Sequence, residues 1–207
     1  MSANYDNSAA FYDRLSKLVF GNALINAQKY FLPQIPANSR VLIIGGGTGW
    51  ILEEVTKVHS SGLHIIYVEL SAKMTALSRK RSVGNNAVKF INRAIEDVYL
   101  EQPVDVIITP FLMDNYKDDA LPATFKHIDK LLKPNGIWLN TDFRLTGKWW
   151  QFLLLKSMLI FFKILCGVQN WRLPNVDKQF SLLGYARKDQ KSFYGDFVMT
   201  RLYKKPK

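Results

Sequence analysis

The sequence predicts an α/β fold: a doubly wound, mostly parallel sheet of seven strands with an antiparallel pair at its C-terminal edge. Three observations carry that prediction. Short, wholly apolar runs such as VLII (41–44) read as strands buried on both faces. Stretches with helical spacing of apolar residues separate them, and strands alternating with helices argue for parallel pairing. The end of the chain, with YARKDQKSF and GDFVMTRLYKK, reads as an antiparallel pair. A length of 207 residues suits one domain with a full hydrophobic core.

Residues 8–31 space their apolar side chains as one or two helices would, and Pro33 and Pro36 then break the chain. VLII is the first strand, and residues 49–58 continue as a helix. HIIYVEL (64–70) is the second strand, and SAKMTALSRKRS follows as a helix capped by Ser71. VKFIN (88–92) and VDVIITPF (104–111) are the third and fourth strands. Residues 118–132 read as a helix closed by Pro134-Asn135-Gly136, and GIWLNTDF (136–143) as the fifth strand. A long apolar helix spans 148–166.

Composition narrows the chemistry. A single cysteine, Cys166, excludes a disulfide framework and a Cys-rich zinc site. Histidines 59, 64 and 127 lack metal-ligand spacing, so no metal site is expected. The first 30 residues carry no basic start followed by an apolar run, which makes the cytoplasm the expected location. The net charge of +11 is lopsided: residues 143–207 hold 13 Lys/Arg against 3 Asp/Glu, whereas residues 1–142 hold 15 against 14. Such asymmetry points to an anionic partner, a membrane or a nucleic acid, or to a solvated basic face.

Ligands of such sheets bind beyond the carboxyl ends of the strands. After the first strand comes GGGTG. A glycine turn lets backbone N–H groups approach a ligand at the positive end of the following helix. A dinucleotide would want G-x-G-x-x-G, but the sixth position is Trp50, and no Gly-Lys-Ser/Thr follows for a P-loop. Glu69, about 20 residues on, is placed to accept hydrogen bonds from both hydroxyls of a ribose. The pattern asks for a nucleoside without a pyrophosphate.

VLIIGGGTG, YVELSAKM, INRAIEDV, DVIITPFLMD and LLKPNGIWLNTDF together resemble the successive motifs of the class I S-adenosylmethionine-dependent methyltransferases, over roughly residues 38–145. AAFYDRLSKLVFGNAL and LPNVDKQFSLLGY resemble, more loosely, the branch with quinone- and lipid-modifying members. The resemblance implies a Rossmann-like domain over 1–207, with an N-terminal helical cap (1–37), a cofactor-binding core (38–145) and an apolar helix with basic strands (146–207). It implies S-adenosylmethionine as cofactor and S-adenosylhomocysteine as product. Gly45, Gly46, Gly47, Thr48 and Gly49 would pass under the amino acid part. Glu69 would hold the ribose, Leu70 and Met74 would line the adenine side, and Ala94 and Ile95 would flank the adenine. Thr109, Pro110 and Phe111 would lie beneath the methionine, with Tyr12 closing the site. Two positions depart from the family pattern: Ile43 and Ala94 stand where an acid is common.

Methyl transfer from a sulfonium needs alignment and exclusion of water, and a base only if the acceptor must lose a proton. Asp114, after the fourth strand, and Asp142, at the end of the fifth, are the catalytic candidates. Tyr116 lies near them, and His127 reads as a helix-face residue. The apolar stretch 149–168 is long enough to span a bilayer, but Lys156 and Lys163 oppose that. It reads either as a helix packed on the sheet or as one covering a greasy substrate and resting on an anionic membrane. The expected function is methylation of a small hydrophobic acceptor: a quinone, phenol or lipid-like molecule. The alternatives are an RNA or protein methyltransferase using the basic C-terminal third, an aminopropyltransferase, and a cofactor-binding module without activity.

Overall fold

The computed structural model describes residues 12–166 and 172–207; at 12–14, 162 and 164–166 it describes backbone alone. Seven strands form one sheet in the order β3-β2-β1-β4-β5-β7-β6. They are β1 (Arg40–Ile44), β2 (Ser61–Val68), β3 (Asn85–Ile91), β4 (Val104–Pro110), β5 (Leu132–Phe143), β6 (Ala186–Phe193) and β7 (Val198–Lys204). The first five pair in parallel, and β7 runs antiparallel to both β5 and β6. This is the Rossmann-like arrangement expected, with its switch point where β1 meets β4.

The helices are α1 (Tyr12–Phe20), α2 (Ala23–Lys29), α3 (Trp50–Val58), α4 (Ala72–Ser78), α5 (Leu121–Lys130), α6 (Trp149–Cys166) and α7 (Val176–Leu182). The strands read as apolar runs because both sheet faces are covered. On one face Leu42, Ile44, Ile107 and Trp138 pack under Phe125 and Ile128 of α5 and Phe180 of α7. On the other, Val41, Ile43, Tyr67 and Ile108 pack under Ile51, Leu52 and Val55 of α3. A third cluster joins Phe20, Leu24 and Ala27 of the first two helices to Leu155 and Leu159 of α6 and to Phe197. Partly buried Phe111 and Phe143, at the ends of β4 and β5, pack against it.

Several boundaries shift by a few residues from the sequence expectation, and two differences stand out. The fifth strand begins at Leu132 rather than 136, because Leu132 already pairs with Val104 before a register shift carries Ile137 opposite Val106. Helix α7 was not expected: it spans only seven residues, and its start is held by Asn175, whose side chain accepts a hydrogen bond from Lys178 N at 3.0 Å.

Candidate functional site

The turn after β1 is built from backbone that other side chains would block. Gly45, Gly47 and Gly49 take the left-handed conformation, with φ of 71°, 62° and 83°. Gly46 needs the absence of a Cβ instead: one there would lie 2.5 Å from the Tyr67 ring. A Cβ on Gly49 would lie 2.5 Å from Ser78 Cβ and 2.7 Å from its Cα, so the start of α3 presses on the end of α4. The close-packing role that a third glycine at position 50 would fill therefore falls to Gly49.

Glu69, at the end of β2, is buried and ties this turn down. Its Oε2 accepts from Gly47 N at 3.0 Å and its Oε1 from Ser71 N at 2.8 Å. Tyr67 Oη donates to Gly47 O at 3.0 Å, and Arg81 Nε donates to Thr48 O at 3.0 Å. Asn92, just past β3, donates to the carbonyls of Glu69 and Leu70, both at 2.8 Å. Ser71 caps α4 by accepting from Met74 N, and Met74 is buried beside Gly47. Ala94 precedes a short helical turn, Ile95–Asp97, in which Ile95 is buried, whereas Leu70 is exposed.

At β4 the chain turns sharply. Phe111 has φ of 50°, unusual for a residue with a side chain, and its N–H donates to Thr141 O at 2.7 Å. Its ring lies 4.8 Å from Phe143, which lies 5.1 Å from Phe197. Thr109 points into the core, where Oγ1 donates to Asn140 Oδ1 and accepts from Trp138 Nε1, both at 2.9 Å. Pro110 is buried beside it. Tyr12 belongs to α1 by its backbone, and its side chain lies outside the described residues.

Asp114 and Asp142 come together here, from the turn after β4 and from β5. Burial pushes the Asp114 carboxyl up to about 7, with a backbone N–H working against it. Burial also holds Asp142 well above the usual carboxylate range; the Asp114 charge adds to this, while Asn140 and Arg201 oppose it. Asp142 is 3% exposed, and neither of its oxygens has a hydrogen-bond partner among the described residues. Asn140 Nδ2 and Arg201 Nε are buried in the same condition. Asn115 donates to Asp114 Oδ1 at 2.9 Å. Burial raises the Tyr116 hydroxyl above its ordinary range, as does nearby Glu96. His127 sits apart, its Nε2 3.0 Å from Val98 O.

Sequence reasoning missed Tyr67, Asn92, Asn140 and Arg201. A tyrosine inside an otherwise aliphatic strand, and an arginine inside an apolar one, were the available signals. The glycine turn is bare enough, and the Glu69 carboxylate near enough, for a nucleoside carrying an amino acid. Each carboxylate oxygen can accept more than one hydrogen bond.

A methyltransferase-domain family matches residues 41–136. The malonyl-[acyl-carrier protein] O-methyltransferase of Bacillus cereus is 29% identical over 147 residues, covering 69% of this chain and 52% of that protein. The chain thus spans about half the length of that curated relative. A chain from the complex between the Haloferax volcanii Trm112 methyltransferase activator and a methyltransferase superposes with a TM-score of 0.74 at 14% identity, covering 100% of both chains. The 1,6-didemethyltoxoflavin-N1-methyltransferase of Burkholderia thailandensis, solved with S-adenosylhomocysteine, gives 0.69 at 13% identity, covering 97% of this chain and 85% of that one. Residues 41–136 thus match a methyltransferase domain, and the fold is the one these solved methyltransferases share.

Proposed function

We propose that this protein is a class I methyltransferase that uses S-adenosylmethionine to methylate a small acceptor with a hydrophobic body: a quinone, a phenol or a lipid-like molecule. The observation that carries this reading is the buried acid pair, Asp114 and Asp142; the ends of the same two strands also carry the packed rings of Phe111 and Phe143. An apolar wall suits the body of such an acceptor. A carboxylate that titrates near neutrality suits removal of a hydroxyl proton.

In this reading Gly45, Gly46, Gly47, Thr48 and Gly49 hold the amino acid part of the cofactor. Glu69 takes the ribose hydroxyls while keeping its bonds to the turn. Leu70, Met74, Ala94 and Ile95 line the adenine side; Pro110, Phe111 and Tyr12 close on the methionine, with Thr109 supporting them from the core. The sulfonium, when bound, supplies an electrophilic methyl group and leaves as a neutral thioether. The acceptor oxygen forms the new bond to carbon, and its proton passes to the Asp114–Asp142 pair. The pair and the turn align the reactants and keep water out.

The reading includes a cytoplasmic chain in peripheral contact with an anionic membrane, where such acceptors concentrate. Exposed apolar residues of α6 support that contact. A second reading, an RNA or protein acceptor, is favoured by the wholly exposed first part of β6, which carries Arg187, Lys188 and Lys191. Label transfer separates them. The protein is incubated with tritiated-methyl S-adenosylmethionine and a cell extract, which is then partitioned. Label in the organic phase is expected; label confined to precipitated RNA or protein would overturn the hydrophobic acceptor.

A further inference from the structure

The proposed reaction makes no use of the outer face of α6. The inner face packs through Trp150, Leu154, Leu155, Met158 and Leu159 into the cluster that reaches Phe111 and Phe143. The outer face leaves large apolar side chains in water: Trp149 is 75% exposed, Phe152 52%, Leu153 57% and Ile160 48%. Positions 149, 152, 153, 156, 160 and 163 follow the helical repeat, so these residues form one stripe. Single exposed hydrophobic residues are ordinary, but a contiguous stripe marks an interaction surface.

Charge says what it meets. Lys156 and Lys163 stand on the stripe, and Lys156 Nζ lies 5.4 Å over the Phe152 ring. Residues 143–172 contain five Lys/Arg and no Asp or Glu. A second copy meeting this face symmetrically would set these lysines against one another. No helix among the described residues is long and apolar enough to cross a membrane. What fits is a surface with apolar depth and negative charge on top.

We propose that α6 is an interfacial anchor, lying in the plane of an anionic phospholipid membrane. Trp149, Phe152, Leu153 and Ile160 enter the boundary between headgroups and acyl chains, and Lys156 and Lys163 meet lipid phosphates. The opposite side of the same helix closes on the aromatic wall, so the lipid surface lies next to the acceptor side. The anchor itself stands on geometry and charge; its use in delivering the acceptor rests on the hydrophobic-acceptor reading.

The test is cosedimentation of the whole chain with vesicles of phosphatidylglycerol and phosphatidylcholine, and with phosphatidylcholine alone, at low and high salt. Binding to the anionic vesicles is expected, weakening with salt. The double variant Phe152→Ser/Leu153→Ser should bind at least about tenfold more weakly, because it removes two of the apolar side chains that enter lipid. Lys156→Gln and Lys163→Gln should each weaken binding about fivefold. Circular dichroism and thermal melting confirm that the variants keep the fold. Absence of binding to anionic vesicles, or equal binding to neutral ones, would overturn the proposal. So would unchanged binding by the serine variant, which would move the contact to the basic strand β6. A dimer that the serine variant dissolves would assign the face to a second copy instead. None of these readouts involves methyl transfer, so failure here and failure of the methylation reading are told apart.

Discussion

The turn after β1 and the ends of β4 and β5 lie at the same edge of the sheet, on neighbouring strands, and are built in opposite ways. In the turn, polar groups are tied to one another: Glu69 to Gly47 and Ser71, Tyr67 to Gly47, Arg81 to Thr48. At the ends of β4 and β5, Asp142, Asn140 and Arg201 bury polar atoms that have no hydrogen-bond partner among the described residues. Leaving such a group unsatisfied costs about 1–3 kcal/mol. The first region is shaped in advance to hold something. The second is held at a cost in stability by the packing around it, as sites with reactive groups commonly are. A substitution should therefore lower stability and binding together in the turn, and separate stability from activity at the acid pair.

The largest effect is expected for Gly49→Ala. It adds a Cβ 2.5 Å from Ser78 Cβ at a backbone φ of 83°. Strain and overpacking together should cost roughly 2–4 kcal/mol in chemical denaturation. Calorimetry should show cofactor affinity falling more than about tenfold, as the turn shifts. Gly21→Ala is the control, since φ there is 57° and a Cβ would meet nothing within 4 Å. Equal losses in the two variants would show that the contact with Ser78 carries no weight.

Next comes Asp142→Asn. Turnover should fall about a hundredfold or more while cofactor affinity stays unchanged. Stability at neutral pH should change by no more than about 1 kcal/mol, because a carboxyl that burial keeps protonated already carries no charge and the amide keeps its shape. A variant both less active and less stable would erase the contrast with the turn.

The pH dependence of stability sharpens the same point. The folded-state pKa of Asp114 stands near 7, against an ordinary value of 3.8, so between these limits the folded chain binds more protons than the unfolded one. The contribution of this group is therefore highest below its unfolded value and is lost as pH rises toward 7. Acids whose pKa is lowered, such as Asp105 beside Lys133 and Asp196 beside Lys148, work in the opposite direction and only near or below their ordinary range. Melting temperature should thus drop by a few degrees from pH 5 to pH 7.5, and Asp114→Asn should flatten that slope. A slope unchanged by this substitution would place the proton elsewhere.

The smallest effect is expected for His127→Gln. Its ring nitrogen serves Val98 O, and its ring packs edge-on against exposed Tyr99. Stability should change by no more than about 1 kcal/mol, and turnover not at all. A tenfold loss of turnover would make His127 part of the proton path and remove the special standing of the acid pair.

The parallel strands were legible because burial on both faces demands runs like VLII and VDVII, which water-exposed strands do not show. The Ser71 cap was legible because its chemistry is local, from Ser71 to Met74. So was the need for glycine after β1, since left-handed backbone is a property of the residue itself. Why Gly46 cannot be alanine was not legible: the ring that forbids it belongs to Tyr67, on the neighbouring strand. Nor was the tie from Glu69 back to Gly47, which turns a ribose-binding candidate into the support of its own loop.

Helix α6 marks the boundary most sharply. Its sequence is apolar nearly all round, and only the spacing of Lys156 and Lys163 hints at an outer side. Only the packing of Leu155 and Leu159 against Phe197 and the first two helices turns Trp149 and Phe152 outward. The same holds for the acids. The sequence by itself determined that Asp114 follows the fourth strand and that Asp142 stands at the end of the fifth. Only tertiary structure decided that burial raises the proton affinity of both and that the Asp114 charge adds to this at Asp142, because desolvation and charge coupling depend on what surrounds a group in space.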